Sequence, residues 1–406
     1  MDLLPGHTIQ LNRRLWTLRH VAAPQPGRLR LEAIGASEAA LGMTRQMEAL
    51  QLGPRLFIEQ RRGGYWQANL LTGWQDGPAG PVLNFQPATP LDLLDAHTQA
   101  PGTGDLTNSF SWSFSRAALY RRCPRAYYYH YYAAWNGWQP DAPPPVRRAY
   151  LLKNLTTIPQ WVGTLLHDAI KYALNRLQSG ATVPPAELLA QMRQRARADV
   201  EASRQQMFRQ QPKQRPGFQE HYYRANLSAA DWAAAWQRAE QRLRTFVESP
   251  LYARLQGLPP DAFLRVETLQ SFEQAGEKVW VQMDLATVES GQLALYDWKT
   301  GEVDPDEGRR QLGVYGLFVR RNWPEFGAMP LRGILFGLAE NRVATLDLHD
   351  DLLRQTEQAI ERSIVRLRGL LDDPAANRAG LSRFPMTDDR EVCATCRFRE
   401  LCNRAG

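Results

Sequence analysis

Apolar positions change their spacing along this chain. In the first hundred residues they alternate over short runs: RLRLEA (28–33), RLFIEQ (55–60) and YWQANLL (65–71). A period of two puts one face of a strand into a core and the other into water, so each run predicts a strand. Gly63-Gly64 predicts the turn between the last two. ASEAALGMTRQMEALQL (36–52) reads as a helix between strands. The stretch DAHTQAPGTGD (95–105) carries linker chemistry and places a boundary near it. Residues 1–105 are therefore expected to form a small β-rich domain, with nothing in it spaced like a catalytic site.

Further along, the period lengthens. Ser113 or Ser115 is placed to N-cap a helix, and WVGTLLHDAIKYALNRL (161–177) has apolar residues at helical spacing. An Arg- and Gln-rich helical tract follows from about 185 to 256, broken at QQPKQRPGF (210–218). Its charge reads either as a solvated face or as one that tracks phosphates. From 263 strands return. FLRVETLQSF, KVWVQMDLATV and QLALYDW, joined by EQAGE and ESGQ turns, predict an antiparallel meander. A helix (308–322), a strand pair (331–348) and another helix (351–371) complete an α/β core with helices packed against a sheet.

Composition narrows the class. At 406 residues the chain holds two or three domains, and 44% hydrophobic with 22% charged residues is a globular balance. Forty-nine Lys and Arg against 42 Asp and Glu give a formal charge of +7. That excess suits a polyanionic partner or a merely Arg-rich surface. MDLLPGHTIQLNRRLW lacks the apolar core of a signal peptide, and no long uncharged apolar run follows. Four cysteines, three of them crowded at the C-terminus, do not form a disulfide framework. The expectation is a cytoplasmic protein, its thiols kept for a metal or cluster. No G-x-x-x-x-G-K-[ST] or G-x-G-x-x-G occurs.

Two predicted strands carry acids. Asp284 ends VWVQMDLA, and Asp297 ends LALYDWKTG across a short turn. Two carboxylates about 4 Å apart repel by roughly 4 kcal/mol at an effective dielectric near 20, so keeping both ionised calls for a cation, Mg²⁺ or Mn²⁺ for oxygen ligands. Lys299, two residues past Asp297, shares its strand face. A lysine beside a carboxylate-bound metal is a phosphodiester-cleavage device, and the bland alternative is a surface ion pair before a Thr-Gly turn. Gln311 and Tyr315 are i and i+4 on one helix face. His167 is a metal ligand or a satisfied core histidine, and Glu267 a weaker candidate for a metal-water contact. Tyrosines 127, 128, 129, 131 and 132 divide between core and surface, the latter stacking on single-stranded bases.

At the C-terminus EVCATCRFRELC places Cys393, Cys396 and Cys402 as C-x2-C-x5-C, and the fourth thiol is Cys123 in RRCPRAYYYHYY. By spacing alone, four cysteines hold structural zinc or an iron–sulfur cluster.

Taken together, these motifs resemble the PD-(D/E)xK nuclease superfamily in its RecB-type, iron–sulfur branch, as in CRISPR-associated RecB-like exonucleases and the AddB nuclease domain. SFSRAALYRRCPRAY (113–127) matches the family's opening, and Gly163 to His167 its G-x-x-x-H. Asp284, Asp297-Trp298-Lys299-Thr300, Gln311 with Tyr315, and the closing cysteines follow in family order. The resemblance implies a restriction-endonuclease-like core over 106–406, a mixed sheet flanked by helices, with a helical insertion at about 180–260. It implies that His167, Asp284, Asp297 and the Trp298 carbonyl hold Mg²⁺ or Mn²⁺, and that Lys299 activates water. It also implies that Gln311 and Tyr315 orient the phosphate, and that Cys123, Cys393, Cys396 and Cys402 bind a 4Fe-4S cluster stapling the tail onto 115–132. Gln282 departs from the family's frequent glycine two residues before the first acid. The expected activity is metal-dependent DNA hydrolysis on single strands or free ends, in repair, recombination or antiviral defence. The alternative is a non-catalytic DNA-end clamp. Residues 1–105 are then a candidate adaptor for a helicase or defence-system partner, or a nucleic-acid-binding module.

Overall fold

The computed structural model describes residues 3–11, 14–25, 27–52, 54–62, 65–78, 80–99, 107–225 and 227–402. The alternating runs near the N-terminus become seven strands: β1 (Thr8–Leu11), β2 (Arg14–Gln25), β3 (Arg28–Gly35), β4 (Arg45–Leu52), β5 (Arg55–Arg62), β6 (Tyr65–Gly77) and β7 (Gly80–Pro87). Each pairs antiparallel with the next, and β7 closes on β1 in parallel, so the domain is a barrel without free edges. Pairs two residues apart fill it: Leu31 and Ala33, Met47 and Ala49, Leu56 and Ile58, Leu83 and Phe85. The Gly63-Gly64 turn lies outside the described residues.

The helix expected over 36–52 is corrected. Only α1 (Ala36–Ala40) is helical, and Arg45–Leu52 is a strand paired on both sides by β3 and β5. Its helical propensity yields because Met47 and Ala49 fill the barrel while Leu50 and Leu52 pack outside. What Leu50 and Leu52 meet is α2 (Pro90–Gln99), through Leu93 and Ala96. Asp95–Gln99 is thus the last part of a docked helix and not a linker, and 100–106 lie outside the described residues. Leu94 on the same helix joins the main core, Asp95 pairs with Arg55 at 3.1 Å, and Thr98 donates to Ala379 O at 2.8 Å. Helix α2 is the wedge between barrel and main domain.

That domain opens with β8 (Trp112–Ser113) and α3 (Phe114–Arg122), N-capped by Ser113, whose Oγ accepts from Arg116 N at 3.1 Å. Then come α4 (Pro124–Tyr128), a π-turn (Tyr129–Ala133) and α5 (Pro144–Lys153). A two-residue parallel bridge links β9 (Leu155–Thr156) to β10 (Gly217–Phe218). Helix α6 (Ile158–Gln178) precedes the insertion: α7 (Pro185–Arg204), α8 (Gln219–Tyr222), α9 (Ala229–Val247) and α10 (Pro250–Gln256).

The predicted three-strand meander is also corrected. It is five strands, β11 (Phe263–Val266), β12 (Leu269–Gln274), β13 (Glu277–Gln282), β14 (Leu285–Glu289) and β15 (Gln292–Lys299), divided between two sheets. β12 and β13 join β8, whereas β11, β14 and β15 continue into β16 (Leu331–Gly337) and β17 (Arg342–Asp347). The chain changes sheet at Glu267–Thr268 and again at Met283–Asp284. Asp284 therefore sits at a corner between strands rather than ending one.

The five-stranded sheet is covered on both faces. Leu293 and Leu295 face a core shared with α11 (Pro305–Asn322) and α12 (Asp350–Arg368), while Ala294, Tyr296 and Trp298 face α6 and α9. Four of the five clustered tyrosines are core: Tyr127, Tyr128, Tyr129 and Tyr132 are buried, and only Tyr131 reaches a cleft. The tail, with α13 (Arg390–Ala394), lies across α3–α5 through a bidentate Arg148–Glu400 pair and the Tyr129 hydroxyl on Leu401 O at 3.2 Å. No described helix is long and apolar enough to cross a membrane.

Candidate active site

The row Leu293, Leu295, Asp297, Lys299 points toward α11, because alternate residues of a strand share a face. The first two are core, and the last two meet Gln311 and Tyr315. Lys299 Nζ donates to Gln311 Oε1 at 2.6 Å, Gln311 Nε2 donates to the Tyr315 hydroxyl at 2.7 Å, and that hydroxyl donates to Asp297 Oδ1 at 3.0 Å. Asp297 Oδ2 closes the ring as an ion pair with Lys299 Nζ at 2.8 Å. Beyond this ion pair the buried Oδ2 has no hydrogen-bond partner.

Asp284 lies across from this ring. Its Oδ2 accepts from Trp298 N at 2.6 Å, which locks the carboxylate onto the start of the D-x-K segment. Its Oδ1 is 3.5 Å from His167 Nδ1, and Glu267 Oε1 is 3.2 Å from the same nitrogen. Among the described residues, His167, Glu267 and Asp284 form the set of His, Cys, Asp and Glu ligand atoms that all fall within 4.8 Å of one another. Gly163 explains the approach of α6. A Cβ there would stand 3.0 Å from Thr300 Oγ1, immediately past Lys299, and His167 is one turn further along that face. Glu267 turns into the group with a φ of +40°, a conformation that costs a non-glycine residue energy and marks a constrained corner.

The electrostatics show what is wanting. Burial pushes the Asp297 carboxyl up to about 6, and the charge of Asp284 adds to it, against Lys299 and Tyr315. Burial opposes a charged His167, but its hydrogen bonds to the Asp284 and Glu267 carboxylates outweigh it and push the imidazole up to about 10. Burial, then the charges of Asp297 and Asp284, hold the Tyr315 hydroxyl well above its ordinary value, so it stays a donor. A buried acid whose ionisation is disfavoured, beside an imidazole held protonated, is a site short of positive charge. The donor set, oxygens with one imidazole and a buried Oδ2 lacking a hydrogen bond, fits a hard divalent cation.

His167, Asp284 and the four ring residues line one open cleft, with Ser111, Ser113, Ser115, Arg116, Phe114, Tyr131 and Trp280 further along its wall. Gln282 is exposed on it. The structure thus brings together His167, Asp284, Asp297, Lys299, Gln311 and Tyr315. Tyr315 is buried and spends its hydroxyl on Asp297, so its contacts are with the acid. Nothing in RVETL reveals the chain reversal that carries Glu267 to His167, and nothing in SRAAL marks Arg116 as a cleft residue.

The PD-(D/E)XK nuclease superfamily profile matches residues 111–403. The chain belongs to that superfamily. No curated protein matches. Ten solved chains do, and one similar structure, described as "Crystal structure of SSO0001", is 16% identical, covers 42% of this chain and 77% of its own, and has a TM-score of 0.22.

In this PD-(D/E)XK chain the four cysteines also share one pocket. Cys123, Cys393, Cys396 and Cys402 line one pocket with Ala126, Tyr129, Val392 and Phe398. Cys123 is both the C-cap of α3 and the N-cap of α4, fixed by Pro124 behind it. The Phe398 N–H donates to Cys396 Sγ at 3.4 Å, the kind of bond that tunes a liganded thiolate. Burial raises the Cys396 thiol and pushes Cys402 up to about 11. Four soft donors in an apolar pocket fit a thiolate-bound centre.

Proposed function

We propose that the protein is a metal-dependent deoxyribonuclease acting on single-stranded DNA or free ends. The observation that carries this reading is that His167 and Asp284, grouped with Glu267, line one cleft together with the closed Asp297–Lys299–Gln311–Tyr315 ring. A divalent cation held by His167, Asp284, Asp297 and the Trp298 carbonyl would acidify a water and neutralise charge on the phosphate. The chain's own groups do the rest. Lys299, braced by Gln311, places its ammonium where it steadies the attacking hydroxide and the charge growing on the phosphoryl oxygens. Tyr315 and Gln311 act as positioning residues, holding Asp297 and Lys299 in register. Phe114 and Trp280 offer faces on which unpaired bases stack, which favours a single strand over a duplex.

Within the superfamily, the RecB-type iron–sulfur branch suits the four-thiol pocket and the Cys123-Pro124 opening. A 4Fe-4S cluster there would tie residues 393–402 to the α3–α4 junction. The barrel, joined through α2, is our candidate for docking a helicase or defence-system partner.

The test is end-labelled single-stranded, duplex and circular DNA with Mn²⁺, Mg²⁺ or EDTA, on wild type and Lys299→Ala. Cleavage that needs both the metal and Lys299 supports the reading. A folded Lys299→Ala protein that cuts as well as wild type overturns it, and wild type that binds ends without cutting moves the assignment to a clamp.

A further inference from the structure

Arg116 is a buried cation with no counter-ion. It is 7% exposed, its Nη1 is spent on the carbonyl and hydroxyl of Ser111, and its Nε has no hydrogen-bond partner. Among the described residues no carboxylate stands within ion-pair distance of it. A buried charge without an opposite charge is costly, and proteins keep one where a ligand supplies the partner. The guanidinium carbon lies over the Tyr131 ring, 3.9 Å from its centroid, a cation–π contact that helps to hold the side chain in place. It lines the same cleft as Asp297 and Lys299, but no hydrogen bond or ion pair joins it to either. Around it the charge is of one sign: burial, then Arg116 and Lys213, push the Lys153 ammonium down to about 8. Two hydroxyls complete the wall. Ser113 and Ser115 lie at the N-terminus of α3, 3.1 Å apart, where the helix favours an anion.

We propose that Arg116, with the Ser113 and Ser115 hydroxyls at the start of α3, forms a subsite for a backbone phosphate of the strand, one other than the phosphate at the acidic centre. The proposal rests on the nuclease reading and deepens it. A strand pinned at two phosphates has its scissile bond set in register by the spacing between them. An arginine suits this task because its planar fork binds two phosphoryl oxygens at once.

The test is a neutral-phosphate scan. Full-length protein in EDTA is titrated into single-stranded oligonucleotides carrying one methylphosphonate at successive positions, and Kd is read by fluorescence anisotropy. Wild type should lose about tenfold at one position, as expected for one charge-assisted contact. Arg116→Met should bind about tenfold more weakly overall, show no further loss at that position, and have a salt slope smaller by about 0.7. Ser115→Glu, which leaves Arg116 in place and gives it a carboxylate, should erase the same positional dependence. That variant keeps the test decisive if Arg116→Met fails to fold. Strands ending in a 5′-phosphate or 5′-hydroxyl tell an end phosphate from an internal one, and either supports the subsite. Equal positional losses in wild type and variants, or no sensitive position, overturn it and leave the Arg116–Ser111–Tyr131 contacts merely structural. Parallel Mn²⁺ cleavage separates the two claims. Positional dependence without cleavage would fail the nuclease reading alone, and cleavage without positional dependence would fail the subsite alone.

Discussion

Replacing Asp297 by Asn should make the metal-free protein more stable while destroying its activity. With the Asp297 carboxyl moved from 3.8 to about 6, ionising it costs the folded state on the order of 3 kcal/mol at neutral pH. This cost is already net of the attraction to Lys299, so losing that ion pair is included. The sign follows from the raised value. The favourable contribution of Asp297 is intact below 3.8 and is lost as pH rises through 6, so wild type falls behind the variant over that window. Urea unfolding in EDTA should show Asp297→Asn ahead by about 3 kcal/mol at pH 7.5 and by about half of that at pH 5. Saturating Mn²⁺ should reverse the order, because the cation stabilises only a protein that binds it well. A variant no more stable than wild type at pH 7.5, or a gap unchanged between the two pH values, would refute the reasoning.

Three further outcomes are expected. Gly163→Val should press a branched side chain against Thr300 and drive α6 from the D-x-K segment, weakening Mn²⁺ affinity, read by paramagnetic resonance, at least tenfold. His130 is held down at about 2 by burial, then by Lys153, Arg397 and Arg116. Its contribution is therefore intact above 6.5 and lost as pH falls; His130→Gln should abolish about 2 kcal/mol of the stability lost between pH 7.5 and pH 5, measured by denaturation. Cys123→Ser should lower iron content and expose the tail to proteolysis near residues 384–402, whereas an iron-free, zinc-loaded wild type would replace the cluster with zinc.

Much of the site was legible because strand geometry carries side chains in fixed alternation. Asp297 and Lys299 had to share a face, and Leu293 and Leu295 before them decided that it was the α11 face. Gln311 and Tyr315 followed from one helical turn. The resemblance implied that Cys123 lies with the C-terminal thiols, and the four line one pocket. What failed was non-local. Residues 45–52 have helical propensity yet pair as a strand, because both neighbours and α2 claim their side chains. The corners at Glu267 and Asp284 look like continuous strands in the sequence, since no local signal tells a strand that it will change sheets. Arg116 was invisible for the same reason, as an unpaired charge is defined by what surrounds it.

The most direct measurement is single-turnover cleavage of an end-labelled single strand in ¹⁸O-water, by the anaerobically purified full chain, with Mn²⁺ and with EDTA. The account predicts cleavage only with Mn²⁺, one ¹⁸O in the phosphate of each product bond, and neither in Lys299→Ala. Cutting that persists in EDTA, or a product phosphate without the label, would contradict it.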